Sequence, residues 1–99
     1  MNITAEEAKE IIDSSEDYII LDVREQDEYD SGHIPGALLI PNTEIEARAE
    51  DALTDKEQLI LVYCRSGRRS KLAAEILVEL GYTNIREFGG IIDWPYEVE

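Results

Sequence analysis

Apolar and polar positions along the 99-residue chain change period several times, and each change marks a predicted element. Thr4 and Glu7 have capping-box spacing, with Ala8, Ile11 and Ile12 on one face behind them, which predicts a short helix from about Ala5 to Asp13. "YIILDV" (Tyr18–Val23) is a continuous apolar run, as a strand buried on both faces requires. "EQDEYDSG" predicts one or two helical turns closed by Gly32, and "ALLIP" (Ala37–Pro41) a short extended piece. The acidic segment Thr43–Ala52 predicts a helix, and "QLILVY" (Gln58–Tyr63) a second buried strand. From about Arg68 the period becomes helical: Leu72, Ala73, Ile76, Leu77 and Leu80 share a face, and Gly81 stops the pattern. "NIREF" (Asn84–Phe88) predicts a last strand, broken by Gly89–Gly90, after which "IIDWP" begins a final turn limited by Pro95.

Strands alternating with helices need crossover connections. The predicted fold class is therefore α/β: one domain over residues 1–99, with a mainly parallel central sheet and helices on both faces. No repeat, linker or low-complexity tract divides it. In such sheets ligands sit outside the carboxyl ends of the strands. That directs the search to the residues just after Val23 and Tyr63.

Composition narrows the partners. The formal net charge is −14, which argues against nucleic acid. No apolar run reaches the length of a membrane span, and no membrane partner is expected. The N-terminal "MNITAEEAKE" lacks the basic region and apolar core of a signal peptide. A single cysteine forms no internal disulfide and makes a structural zinc site improbable, so a reducing cytoplasm is the expected compartment. The acid run Glu44–Asp55 is a solvated face. Nothing in the sequence sets an oligomeric state.

Against that acidic background, "LVYCRSGRRSKLAAEIL" (Leu61–Leu77) stands out. It holds the only cysteine, Cys64, and four of the nine basic residues: Arg65, Arg68, Arg69 and Lys71. Cys64 falls at the end of a predicted strand, a few residues before a helix starts. The intervening Arg65, Ser66 and Gly67 are permissive for a turn that aims backbone N–H groups inward as an anion nest. The helix start adds unpaired N–H groups and the positive end of its dipole. A thiol placed there is biased toward thiolate, the reactive form. A buried free cysteine is ordinarily inert packing. The glycine, the arginines and the helix start weigh against that reading here.

"CRSGRRS" resembles the active-site loop of the rhodanese-like sulfurtransferases. "LDVREQDEYDSGHIPGALLIP" (Leu21–Pro41) resembles that family's upstream signature, and "FGGIIDW" (Phe88–Trp94) its closing segment, in the same order and across most of the chain. The resemblance implies a loop cysteine that accepts a sulfane sulfur, becomes a persulfide and passes the sulfur to cyanide or another thiol. On that basis Cys64 is the candidate catalytic residue. Arg65, Ser66, Gly67, Arg68, Arg69 and Ser70 form the candidate anion-binding loop. The implied partners are a small anionic donor such as thiosulfate and a protein or small-molecule thiol acceptor. No metal or organic cofactor is required.

Asp22 and Arg24 end a strand near the expected site and are supporting candidates. Arg24 has two readings: it binds the anionic donor, or it pairs with Asp22 or a nearby acid. Asp22 reads as support and not as an acid or base. His33, within "GHIPGA", reads as a turn-fixing residue bonded to backbone, not as a base for Cys64. Trp94 reads as core or terminal packing. Arg69 closes or frames the loop, while Arg65 and Arg68 face solvent and set donor preference by charge.

Two other functions share this chemistry. A persulfide carrier or regulatory module would depend on a protein partner. A phosphatase or arsenate reductase would need an arginine after five intervening residues, where this chain has Ser70; its arginine, Arg69, follows after four.

Overall fold

The computed structural model describes residues 2–99. Helix α1 spans Ala5–Asp13, strand β1 Tyr18–Asp22, helix α2 Gln26–Asp30 and strand β2 Leu38–Leu39. A 3₁₀ turn at Asn42–Glu44 leads into α3 (Ile45–Ala52), followed by β3 (Leu59–Cys64), α4 (Arg68–Glu79), β4 (Ile85–Gly90) and a 3₁₀ turn at Ile91–Asp93. The capping box at α1 is formed. Glu7 N–H donates to Thr4 Oγ1 at 3.0 Å, and Thr4 N–H donates to Glu7 Oε1 at 2.9 Å.

The strands form one parallel sheet in the order β2-β1-β3-β4. β3 lies inside the sheet, paired to β1 and β4, and all six of its residues are buried. Alternation along a strand then fixes which face each side chain meets. Ile60, Val62 and Cys64 pack with Ile45, Ala49, Ala73 and Leu77 of α3 and α4. Leu59, Leu61 and Tyr63 pack with Ala8 of α1, Ile34, Phe88 and Trp94 on the other face. Helices therefore cover both faces, as the buried strands predict, and Cys64 is aimed at the α4 side.

Several predicted boundaries move: β1 stops at Asp22, β2 shortens to Leu38–Leu39, β3 shifts by one residue to Leu59–Cys64, and β4 starts at Ile85. Thr43 and Glu44 lie in the 3₁₀ turn and not in an α-helix. Gly89–Gly90 does not break the last strand. β4 continues through both residues, with Val62 opposite Glu87 and Cys64 opposite Gly90. Three steps on β4 thus match two on β3, a bulge that Gly89 makes possible with a φ of +91°. Gly90 is needed for a different reason: a Cβ there would lie 1.9 Å from the Arg65 carbonyl oxygen. The glycine pair lets β4 lie directly against the segment after Cys64.

Among the described residues, no helix is long and apolar enough to cross a membrane.

Candidate active site

Cys64 is the last residue of β3, and α4 begins four residues later at Arg68. Gly67 makes the turn between them with a φ of +106°, a conformation that side chains disfavour. Its N–H donates to Cys64 Sγ at 3.0 Å. The Ser70 hydroxyl oxygen, on the first turn of α4, lies 3.5 Å from the sulfur. Burial is the largest influence on the thiol, and it opposes ionisation. The Ser70 side chain and the backbone N–H groups of Ser70, Gly67 and Ser66 together outweigh it and hold Cys64 below the usual thiol range. The anion is thus favoured mainly by short-range donors of the loop and helix start, as P-loop-like nests do for phosphate.

The loop arginines divide. Arg69 forms a bidentate pair with Glu28 of α2, at 2.7 and 2.9 Å. That pair pulls the Glu28 carboxyl down to about 2 and raises the guanidinium further above its ordinary value. Arg69 therefore ties α4 to α2 and frames the loop. Arg65 and Arg68 are exposed. Neither they nor Lys71 forms an ion pair among the described residues. A pocket of about 660 Å³ opens on this side, lined by Ser66, Gly67, Arg68, Lys71, Glu75 and Glu87 among others. Of these cations, Arg68 and Lys71 stand at its rim.

Arg24 is committed to structure. It is 4% exposed, and its Nε and Nη2 donate to Asp22 at 2.7–3.1 Å while Nη2 also donates to the Gly32 carbonyl at 2.7 Å. Asp22 is fully buried and accepts from Tyr63 O–H at 2.6 Å. Tyr63 in turn accepts the Ile34 N–H at 3.1 Å. Burial and the neighbouring Asp22 push the Tyr63 phenol well above its ordinary value, so it remains a donor. Of the two readings of Arg24, the geometry takes the ion pair. This network fastens the 32–37 turn to β1 and β3. His33 belongs to the same turn: it stacks on Tyr29 with centroids 3.8 Å apart, and Nδ1–H donates to the Tyr29 carbonyl at 2.9 Å.

One residue that sequence reasoning missed enters the site. Glu87 of β4 is 5% exposed and accepts from Ser70 O–H at 2.6 Å and from Gly89 N–H at 2.8 Å. Parity was the available signal. Ile85 packs toward α4, so Glu87, two residues on, faces α4 as well. Among the described residues, no group of three or more His, Cys, Asp or Glu side chains is placed to hold a metal ion.

Fold and site define a parallel α/β domain that carries an anion-stabilised cysteine at the carboxyl edge of its sheet. The Rhodanese-like domain model matches residues 4–95, and the chain belongs to that family. It is 42% identical over 73 residues to the thiosulfate sulfurtransferase PspE of Escherichia coli K12, covering 74% of this chain and 70% of that protein. It is 40% identical over 98 residues to the putative sulfur carrier protein YrkF of Bacillus subtilis, covering 98% of this chain but 52% of that one, about half its length. A solved structure described as a rhodanese with anions from E. coli superposes with a TM-score of 0.77 at 38% identity, covering 83% of this chain and 96% of that one.

Proposed function

We propose that the protein is a sulfurtransferase that moves sulfane sulfur from thiosulfate or a persulfide donor to a thiol or cyanide through a Cys64 persulfide. The observation that carries this reading is the Gly67 N–H aimed at Cys64 Sγ in a loop that favours the anion. The Cys64 thiolate attacks the outer sulfur of thiosulfate. A new S–S bond forms, the bond to the sulfonate sulfur breaks, and sulfite leaves with the electron pair. An acceptor thiolate or cyanide then attacks the terminal sulfur and releases Cys64 as thiolate, completing a ping-pong cycle. Loop N–H groups oriented before the reaction stabilise the charge on sulfur at each stage. Arg65 and Arg68 draw the dianionic donor toward the pocket rim. The expected setting is cytoplasmic, in keeping with a free thiol as nucleophile.

The test is turnover of thiosulfate with cyanide. Cys64→Ser should fold and lose all turnover; substantial residual activity in that variant would sink the assignment. Aryl phosphates should not be hydrolysed, because Arg69 is held by Glu28 and Ser70 stands where a phosphatase loop places its arginine.

A carrier reading is favoured by one observation, the match to YrkF over 98% of this chain. A carrier would react poorly with thiosulfate alone and readily once a protein donor is supplied. An enzyme would saturate with thiosulfate by itself.

A further inference from the structure

The Ser70 hydroxyl has more claimants than protons. It holds one hydrogen, and three oxygens stand within reach to accept it: Glu87 Oε2 at 2.6 Å, the Gly67 carbonyl at 3.0 Å and the Gly89 carbonyl at 3.3 Å. The Glu87 contact has the length of a hydroxyl donating to a carboxylate, the strongest of the three. With its proton committed to Glu87, Ser70 turns a lone pair toward Cys64 Sγ at 3.5 Å, and the sulfur must then be the donor, as a thiol. A thiolate at Cys64 needs the opposite arrangement, with Ser70 O–H turned to the sulfur. One hydroxyl cannot serve both anions.

We propose that Cys64 and Glu87 share a single proton through the Ser70 hydroxyl, so that Glu87 is the acceptor of the proton that Cys64 gives up. In one form the chain runs S–H to Ser70 Oγ and Ser70 O–H to the Glu87 carboxylate. In the other, the sulfur proton has moved to Ser70 Oγ and the Ser70 proton to Glu87 Oε2, leaving the electron pair on sulfur and a neutral carboxylic acid. Both forms have the same composition and net charge. The Gly89 N–H stays on Glu87 Oε2 and fixes the carboxyl in place. Glu87 is thus a positioning residue that acts on the sulfur through Ser70. It makes a histidine base unnecessary, in keeping with His33 being bonded to the Tyr29 carbonyl.

The surrounding charges are those of α4 and its loop. Arg68, Lys71 and Glu75 line the same pocket as Glu87, and Glu79 lines the neighbouring one. Arg69 is held by Glu28, close enough to Cys64 for the two charges to interact. The pocket beside Glu87 gives the shared proton a route to water.

The experiment is the pH dependence of Cys64 alkylation by iodoacetamide, a neutral reagent, with no sulfur donor present. The inference takes Cys64 as the nucleophile of the proposed reaction, but this readout does not require sulfur transfer. A failure here leaves that reading to be judged by its own turnover assay. Interacting groups titrate as a pair. A shared proton therefore gives the natural protein a shelf of pH-independent reactivity below its main step, where the thiolate–carboxylic acid form persists. Glu87→Gln keeps an acceptor for Ser70 but cannot take the proton, so its rate should fall about tenfold per pH unit with no shelf. Ser70→Ala, which removes the link, should also abolish the shelf. An acid limb of constant slope in the natural protein would overturn the proposal without reference to any variant. So would a shelf that survives in Glu87→Gln or Ser70→Ala.

Discussion

Two buried polar clusters sit side by side at the carboxyl edge of the sheet, one behind β1 and one behind β3, and they are built for opposite ends. Asp22 and Tyr63 are register partners, and both belong to the first cluster. There a carboxylate meets an arginine, a phenol and a backbone amide, and every strong group has a partner. One residue further along β3 the pleat turns the side chain to the other face. Cys64 meets no such cation in direct contact: it has the N–H groups of the loop and one hydroxyl whose single proton Glu87 also claims. The first cluster spends its charge on rigidity. The second leaves a polarisable sulfur stabilised enough to ionise and unpaired enough to react. The arginines repeat the contrast: Arg24 and Arg69 are bound into ion pairs, while Arg65 and Arg68 are exposed and, among the described residues, unpaired, Arg68 at the pocket rim.

Breaking the rigid cluster should have the largest effect on stability. Asp22→Ala leaves the Arg24 guanidinium buried without its partner, and should cost about 3–5 kcal/mol in denaturant unfolding. The network reaches the site through Tyr63, the residue before Cys64, but none of its groups bonds the sulfur, so the fraction that folds should still accept sulfur. Unchanged stability would show that the pair adds nothing.

Next comes the seam between β4 and the loop. A Cβ at Gly90 would press on the Arg65 carbonyl carbon at 2.3 Å as well as its oxygen, so neither side can yield by a rotamer change. Gly90→Ala should lose about 3 kcal/mol, the upper end of overpacking, together with sulfur transfer. Retention of both would mean that the close approach is unnecessary to the loop.

The Glu28–Arg69 tie is smaller and dependent on pH. Its carboxyl is lowered from 4.5 to about 2 in the folded protein, so the stabilisation is fully present above 4.5 and is lost as pH falls toward 2. Glu28→Gln should remove about 1–2 kcal/mol at neutral pH and flatten that part of the acid unfolding profile. Parallel acid profiles for the two proteins would dismiss the tie as a stabilising contact.

Neutralising the free arginines should leave the fold nearly untouched. Arg65→Ala with Arg68→Ala should change stability by no more than about 0.5 kcal/mol. It should slow thiosulfate capture severalfold and flatten its dependence on salt. An unchanged rate and salt response would reduce both side chains to surface charge.

The two clusters also differ in how far the sequence exposes them. Elements carried by period and caps are legible: α1 occupies Ala5–Asp13 and α4 starts at Arg68, where the spacing places them. The cysteine, its glycine turn and the helix start are local in sequence, and so is the anion nest they form. The seam is not local. A Gly-Gly pair ends most strands, and only the approach of Arg65 and Ser66 to Gly90 shows why this strand runs on. Glu87 is hidden for a related reason. A carboxylate in "IREF" has the look of an exposed position, and its burial depends on Ser70, seventeen residues away, supplying a hydroxyl from α4. Arg24 stays ambiguous until the Gly32 carbonyl and Asp22 are seen to close around it.

The central claim is that Cys64 is where sulfur is held. The direct measurement is the intact mass of the protein after incubation with thiosulfate and removal of excess donor. One added sulfur atom, lost on treatment with cyanide and absent from Cys64→Ser, is the predicted result. An unchanged mass in the natural protein under conditions where it turns over, or an added sulfur that persists in Cys64→Ser, would contradict the account.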